Sequence, residues 1–190
     1  MQGAAVFDQN GRRKYLNGLE RRAYLQAIGQ ETDTRRRAFC LTLYYCGCRI
    51  SEALNLTVER IDSSGKAVVF ETLKRRKPGH FRAVPVPDTL ADLLRELVTG
   101  KSAGAKVWGF SRTTAYRLIK AKMKQAGIHG SMACPKGLRH GHGVACVGGK
   151  VPLTTIQKWL GHARIETTAI YVDVHGEEER ELAKRLWAAD

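Results

Sequence analysis

The sequence predicts an α+β fold: one domain, mostly helical, with a small antiparallel sheet. Apolar residues recur at helical spacing along most of the 190 residues, whereas residues 66–70 and 82–86 are typical of two short strands. No segment repeats, and the length suits one sizeable core. We expect an N-terminal extension over residues 1–16, a compact domain over residues 17–175, and a C-terminal helix over residues 176–190.

Capping and stop signals place the first two helices. Asn17 and Glu20 form a capping-box pattern ahead of apolar residues that recur to about residue 28. Asp33 or Thr34 can cap a second helix. Gly47 then predicts its end, because glycine readily adopts the left-handed conformation that closes a helix.

The middle of the chain is predicted to contain a short helix and a basic hairpin. A helix over residues 50–56 puts Arg49 near a helix N-terminus, where free N–H groups and the helix dipole favour an anion. Residues 62–65 are typical of a turn, and the two strands follow it. Four basic residues lie between those strands: Lys74, Arg75, Arg76 and Lys77.

The second half of the chain is predicted to be mainly helical. Helices are expected over residues 88–97, 111–125, 135–147, 152–161, 165–172 and 176–188. In the helix that Ser111 caps, Tyr116, Ile119 and Met123 are expected to face the core. The same helix carries a basic stripe suited to following phosphates, formed by Arg117, Lys120 and Lys124.

The composition points to a polyanionic partner. The chain has 32 Lys and Arg residues against 18 Asp and Glu, a formal net charge of +14. No apolar run approaches the ~20 residues that cross a bilayer, and residues 1–10 lack the pattern of a secretory signal. We therefore expect no membrane contact and a reducing compartment, the cytoplasm, in association with the nucleoid.

The sequence predicts no metal and no cofactor. Cys46 and Cys48 form a single close pair without the second pair of a zinc site, so we expect all five cysteines to be free thiols. His140 and His142 diverge on a helix, and no acidic pair has a spacing suited to Mg²⁺. The glycines at 143–149 lack the Gly-Lys-Ser/Thr of a phosphate loop.

Four motifs resemble the catalytic signature of the tyrosine recombinases, the phage integrase and Xer-type family. They are residues 46–56 (CGCRISEALNL), 137–140 (GLRH), 160–162 (LGH) and 167–171 (TTAIY). His162 follows Arg139 by 23 residues and precedes Tyr171 by nine, and both separations are usual in that family. The resemblance covers residues 19–174 and implies the fold of the family's catalytic domain.

The resemblance implies a site-specific DNA recombinase or integrase that cuts and rejoins strands without a metal. Tyr171 is then the nucleophile, which attacks the scissile phosphate and forms a 3′-phosphotyrosyl ester. Arg49 and Arg139 grip the phosphate oxygens, a task that suits planar guanidinium groups, and His162 donates a further hydrogen bond. The chemistry itself needs such cations, because a free phenol has a pKa near 10 and the phosphate gains charge during attack.

Two features of the site differ from the family or stay open. A hairpin lysine protonates the leaving 5′-oxygen in this family, and Lys74 is preferred because it directly follows the strand, although counting back from Val84 favours Lys77. The family's histidine three residues before its second arginine is replaced by Lys136. An ammonium can donate to a phosphate, but it is a poorer proton acceptor for the tyrosine at neutral pH.

Double-stranded DNA is the implied partner, contacted by Arg75, Arg76, Lys77 and the basic stripe. The sequence lacks the N-terminal DNA-clamping domain of most members, which implies a catalytic domain alone, a piece of a longer protein, or DNA contacts borrowed from an accessory partner.

Residues 177–187 are amphipathic, so we expect the C-terminal helix to be exchanged between protomers of a synaptic tetramer. Two alternatives remain: a catalytically silent DNA-binding or accessory protein, and type IB topoisomerase-like relaxation.

Overall fold

A computed structural model of the chain describes residues 6–72 and 79–172, together with Lys184 and Trp187. The mostly helical prediction with a small antiparallel sheet is confirmed. The elements in chain order are α1 (Gly18–Gly29), α2 (Thr34–Cys46), α3 (Ile50–Leu54), a 3₁₀ turn (Val58–Arg60), β1 (Ile61–Asp62), β2 (Ala67–Glu71), β3 (Phe81–Pro85), α4 (Asp88–Val98), α5 (Arg112–Gln125), α6 (Pro135–Gly148), α7 (Leu153–Leu160) and α8 (Glu166–Ala169).

The predicted caps form at the first two helices. The Asn17 side chain accepts a hydrogen bond from the Glu20 N–H, and the Glu20 carboxylate accepts one from the Asn17 N–H, which completes the capping box. Asp33 caps α2 by accepting from the Arg36 N–H. Gly47 closes α2 with a φ of 56°, as its position after the last apolar residue predicts.

The sheet has three strands in the order β1-β2-β3, and each neighbouring pair is antiparallel. Its buried face is formed by Val68 and Phe70 of β2 with Arg82 and Val84 of β3. The sequence did not predict β1, because two residues are too short for an alternation to show. Arg82 is the unusual member of the buried face because it is charged. Its guanidinium lies over the Phe70 ring, 5.3 Å from the ring centre.

The core has two parts. The larger one lies among the helices from α1 to α6 and the sheet, and its largest fully buried side chains include Tyr24, Phe39, Leu90, Ile119 and Met123. A smaller cluster joins α6, α7 and the segment after α8, and it consists of Val6, Cys146, Ile156, Leu160 and Tyr171. Tyr171 is therefore packed against α6, which carries Arg139, and against α7, which ends shortly before His162.

The predicted inner face of α5 is wrong by one residue. Ala115, Ile119 and Met123 are buried, whereas Tyr116 is 45% exposed. Residue 116 lies about 100° further round the helix than residue 115, which turns it to the edge of the buried stripe. Lys122 is also buried on this side and pairs with Glu31, with 2.9 Å between Nζ and Oε2.

Two helices end earlier than predicted. The helix beginning at Ile50 ends at Leu54, and α8 covers Glu166–Ala169 rather than residues 165–172. After α8 the backbone continues with hydrogen bonds three residues apart, from the Tyr171 N–H to Thr168 and from the Val172 N–H to Ala169. The tighter turn therefore replaces α-helical bonding at the tyrosine.

Some predictions fall outside the described residues. They include the hairpin residues Lys74, Arg75, Arg76 and Lys77, and the C-terminal helix apart from Lys184 and Trp187, which are both helical. In the part of the chain that the structure describes, no helix is long and apolar enough to cross a membrane.

Candidate active site

The helix ends and connections that carry the signature motifs meet around one cavity of about 450 Å³. The N-terminus of α3, the first turns of α6, the connection after α7 and the segment after α8 all contribute to its wall. The polar side chains that matter for chemistry are Arg49, Lys136, Arg139, His140, His162 and Tyr171. Arg112, which the sequence did not single out, also lines the cavity at the start of α5.

Arg139 is held by two backbone carbonyls at helix ends. Its Nη1 donates to the Gly47 oxygen at 2.9 Å and its Nη2 donates to the Leu160 oxygen at 2.7 Å. Burial and the neighbouring Arg49 lower the pKa of Arg139 to about 10, so the guanidinium stays charged at neutral pH. The two bonds use two of its five N–H donors, which leaves donors for an anion in the cavity.

Arg49 is fixed by a buried carboxylate that sequence reasoning missed. Glu52 accepts from the Arg49 N–H at 2.8 Å and from Arg49 Nη1 at 2.6 Å. It also accepts from Arg82 Nη2 at 2.6 Å. Burial raises the pKa of Glu52, but Arg82, the Arg49 N–H and the Arg49 charge together lower it below its ordinary value. The capping-box spacing of Arg49 and Glu52 is the sequence signal that could have found this pair.

Arg82 extends the same network to two further elements. Its Nε donates to the Trp159 oxygen at 2.8 Å, and its Nη1 donates to Thr72 Oγ1 at 2.9 Å. β3, α3 and the end of α7 are therefore joined through one buried guanidinium. No local sequence pattern indicates this role, because the strand rule places an apolar residue at a buried position.

His162 is stacked against Tyr171 and lies near the charges of Arg139 and Arg49. Its Nδ1 is 2.9 Å from Thr168 Oγ1, and its ring is stacked against the Tyr171 ring with 6.2 Å between centres. Burial, followed by Arg139 and Arg49, lowers the pKa of His162 to about 3, so the ring is neutral at pH 7. In the tautomer in which Thr168 donates to Nδ1, Nε2 carries the hydrogen and can donate to a phosphate oxygen.

Tyr171 is only 1% exposed, yet it lines the cavity. Its phenol oxygen forms a hydrogen bond with His140 Nδ1 at 3.0 Å. Burial raises the pKa of Tyr171 above its ordinary value, while Arg139 and Arg49 act in the opposite direction. The side chain is thus a neutral phenol at pH 7 within reach of both guanidinium charges.

The remaining predicted site residues fall into three groups, one of which lies outside the described part of the chain. Lys136 lines the cavity from the first turn of α6. The basic stripe is exposed on α5, and none of its three residues is among those that line the cavity. The hairpin lysines lie outside the described residues. Among the residues that the structure does describe, no group of three or more potential metal ligands comes together.

Comparison with known proteins agrees with the fold. Residues 14–178 match the model of the phage integrase family. Over 179 residues the chain is 29% identical to a tyrosine recombinase of Thermosipho africanus (strain TCF52B), covering 90% of this chain and 61% of that protein. The crystal structure of XerA recombinase is similar with a TM-score of 0.74 and 25% identity, covering 90% of this chain and 64% of that one.

A second solved structure extends the comparison of the fold. XerH site-specific recombinase bound to difH substrate, a pre-cleavage complex, is similar with a TM-score of 0.72 and 20% identity, covering 95% of this chain and 59% of that one. The fold is that of the recombinase domains in both structures. The chain belongs to the phage integrase family, and the predicted resemblance is confirmed. It spans about three fifths of the length of these relatives.

Proposed function

We propose that this chain acts as the catalytic domain, residues 17–175, of a site-specific DNA recombinase or integrase. The observation that supports this best is the single cavity that Arg49, Arg139, His162 and Tyr171 line together. A cut through a tyrosine needs this combination, because the attacking oxygen and the phosphate charge must be stabilised at one place. Family membership supports the same class of reaction.

The proposed reaction is a reversible transfer of a phosphodiester. The Tyr171 oxygen attacks the scissile phosphorus, the bond from phosphorus to the 5′-oxygen breaks, and the DNA is held as a 3′-phosphotyrosyl ester. A 5′-hydroxyl of another strand then attacks the same phosphorus and releases the tyrosine. The ester conserves the bond between phosphorus and oxygen, so rejoining needs no nucleotide.

The cationic groups stabilise the charge that develops on the phosphate. Arg49 and Arg139 are preorganised by Glu52 and by backbone carbonyls, so little reorganisation is needed when a phosphate enters. His162 and Lys136 supply further donors from the cavity wall. Removing one such donor typically costs about 3 to 4 kcal/mol of barrier, or about 10²- to 10³-fold in rate. Lys74, or else Lys77, is proposed as the acid for the leaving 5′-oxygen.

Double-stranded DNA is the proposed substrate and partner. The net charge of +14 supports it, and XerH, which shares the fold, was solved on its difH substrate. Arg117, Lys120 and Lys124 are exposed and proposed to contact phosphates outside the cavity. We further propose that the protein forms a synaptic tetramer whose protomers exchange the segment after residue 175, in which Trp187 is 57% exposed. We also propose an accessory partner that supplies the contacts of a DNA-clamping domain. A DNA substrate would place the protein at the nucleoid.

Covalent trapping on DNA tests the proposed function. The probe is a pool of duplexes of randomised sequence, each nicked on one strand so that the short cleaved fragment diffuses away and rejoining stops. We expect an adduct stable to detergent with the wild type and none with Tyr171→Phe. Tyr116→Phe is the matched control, because it removes an exposed phenol of α5, and it should form the adduct normally.

Each other outcome points to a different function. An adduct that persists in Tyr171→Phe assigns the nucleophile to another residue. No adduct with the wild type, combined with DNA binding that falls steeply with salt, favours the silent DNA-binding protein. Relaxation of a supercoiled plasmid without joining of two marked sites favours topoisomerase-like activity.

A further inference from the structure

The oxygen of Tyr171 has a basic partner that lies outside the residues of the proposed phosphate clamp. His140 Nδ1 is 3.0 Å from the Tyr171 oxygen, and both side chains are buried. The two rings meet edge to face at 61°, with 5.7 Å between their centres. A neutral imidazole nitrogen at this distance can take a proton from a phenol.

The other candidate bases are less suited to this task. His162 Nδ1 is engaged with Thr168, and its ring lies nearly parallel to the Tyr171 ring, at 25°, so it faces the ring rather than the oxygen. Lys136 lines the cavity, but an ammonium has no lone pair with which to accept a proton. Of these three candidates, His140 is the one that contacts the attacking oxygen.

The backbone of α6 fixes this contact. His140 and Gly143 lie one turn apart on α6, and a Cβ at Gly143 would be 2.5 Å from Cε2 of the Tyr171 ring. The ring is therefore seated against α6 at Gly143, and in this position its oxygen contacts His140. The Nε2 atom of His140 is buried and has no hydrogen-bond partner among the described residues, so no protein group there fixes the ring in one tautomer.

We propose that His140 is a catalytic residue, the general base that takes the proton of Tyr171 as the phenol oxygen attacks DNA. This inference rests on the proposed function and assigns the proton acceptor that Lys136 does not supply. In cleavage, the O–H bond of Tyr171 breaks and its proton moves to Nδ1, while the oxygen's electron pair forms the bond to phosphorus. The 5′-oxygen leaves with the electrons of its bond and takes a proton from the hairpin lysine. In rejoining, His140 returns its proton to the departing phenol oxygen.

The charges around His140 suit a base that is neutral before DNA binds. Burial, followed by Lys136, Arg139 and Lys14, lowers the pKa of His140 to about 4. Tyr171 and His162 also face the ring, and both are neutral at pH 7. A bound phosphodiester brings a negative charge, which raises the proton affinity of His140 when the proton has to be accepted.

Single-turnover cleavage of a DNA sequence recovered from the covalent adduct tests this role. The substrate carries sulfur in place of the 5′-bridging oxygen, because a thiolate leaves without an acid and the pH profile then reports on the nucleophile alone. We expect His140→Gln to cleave at least about 10²-fold more slowly at pH 7, since a positioned general base contributes about that much. Its rate should rise nearly tenfold per pH unit, because solvent must remove the proton, whereas the wild-type rate should stay flat above pH 6.

His142→Gln is the matched control for the loss of a buried imidazole. His142 lies on the same helix, and its Nδ1 faces the Tyr44 oxygen at 3.3 Å rather than Tyr171. We expect it to keep the wild-type pH profile. Thermal unfolding and gel-shift binding of both variants separate loss of the base from loss of the fold or of DNA affinity.

The outcomes distinguish this inference from the proposed function. A wild type that forms no adduct overturns both. A wild type that cleaves while His140→Gln cleaves equally fast, or slows without gaining a pH slope, overturns the role of His140 and leaves the recombinase function intact. Rescue of His140→Gln by the sulfur substrate would instead make His140 an acid for the leaving group.

Discussion

At Gly143, the lack of a side chain decides where the proposed nucleophile sits. Tyr171 occupies the space that a Cβ would take, and three of its ring carbons lie within 2.7 Å of that position. A glycine inside a helix is otherwise unfavourable by roughly 0.5 to 1 kcal/mol relative to alanine. The local cost is consistent with a position kept open for the tyrosine ring.

Replacing Gly143 by alanine should therefore displace Tyr171. We expect Gly143→Ala to lower the free energy of unfolding by about 1 to 3 kcal/mol, as overpacking does, and to lose most of the covalent adduct. Gly148→Ala is the matched control, because nothing lies within 4 Å of its added Cβ in the same helix. Urea unfolding and adduct yield measure both effects. Wild-type values for Gly143→Ala would show that the ring is not confined there.

At the level of elements, Glu52 and Arg82 connect α3, β3 and α7. The Arg82 side chain is 4% exposed and that of Glu52 is fully buried. Water therefore solvates neither charge, and each charge is stabilised by the other. Because Glu52 also holds Arg49, the same carboxylate links the packing of the sheet to the phosphate clamp. The position of Arg49 is thus set by tertiary contacts as well as by its own helix.

Removing the Glu52 charge should lower the stability of the fold. We expect Glu52→Gln to lower the free energy of unfolding by about 3 to 5 kcal/mol, because it leaves a buried guanidinium uncompensated. Asp92→Asn breaks the exposed pair with Arg95, whose side chains are 60% and 61% exposed, and should change stability by less than about 1 kcal/mol. Denaturant unfolding measures the free energy of unfolding of both variants. Equal losses would contradict the expectation that the buried pair matters more than the exposed one.

Local signals predicted the helices better than their faces. The capping box at Asn17 and the glycine stop at Gly47 are short-range hydrogen-bonding rules, so the sequence states them directly. The inner face of α5 depends on which neighbour packs against it, and the choice of Tyr116 over Ala115 was wrong for that reason. The two-residue strand β1 has too few positions to carry a pattern.

For the whole molecule, three buried histidines make stability depend on pH. The pKa values of His140, His142 and His162 are lowered to about 4, 3 and 3, with burial as the largest cause in each case. The unfolded chain, with histidine pKa values near 6.5, binds protons that the folded chain does not. Their contribution is therefore complete above pH 6.5 and is lost as the pH falls toward the folded values.

We expect the free energy of unfolding to fall between pH 6.5 and 5 by up to about 1.4 kcal/mol per pH unit for each histidine. Glu52 has a lowered pKa in the folded chain, so its contribution is lost mainly below pH 5, as the pH falls past the ordinary glutamate value of about 4.3. Urea unfolding of the wild type and of His142→Gln at several pH values measures the slope. The slope of the free energy of unfolding against pH should be smaller in the variant by about the contribution of one histidine. An unchanged slope would contradict the contribution assigned to His142.

The sequence by itself determined the fold class, the helix caps and the resemblance that singles out Arg49, Arg139, His162 and Tyr171. These features are local, or follow from spacing along the chain. Tertiary structure decided which side chains hold the site in place: Glu52 pairs with Arg82 30 residues away, and His140 meets the phenol 31 residues away. Such contacts depend on how the helices and the sheet pack together, and no pattern within one element encodes that packing.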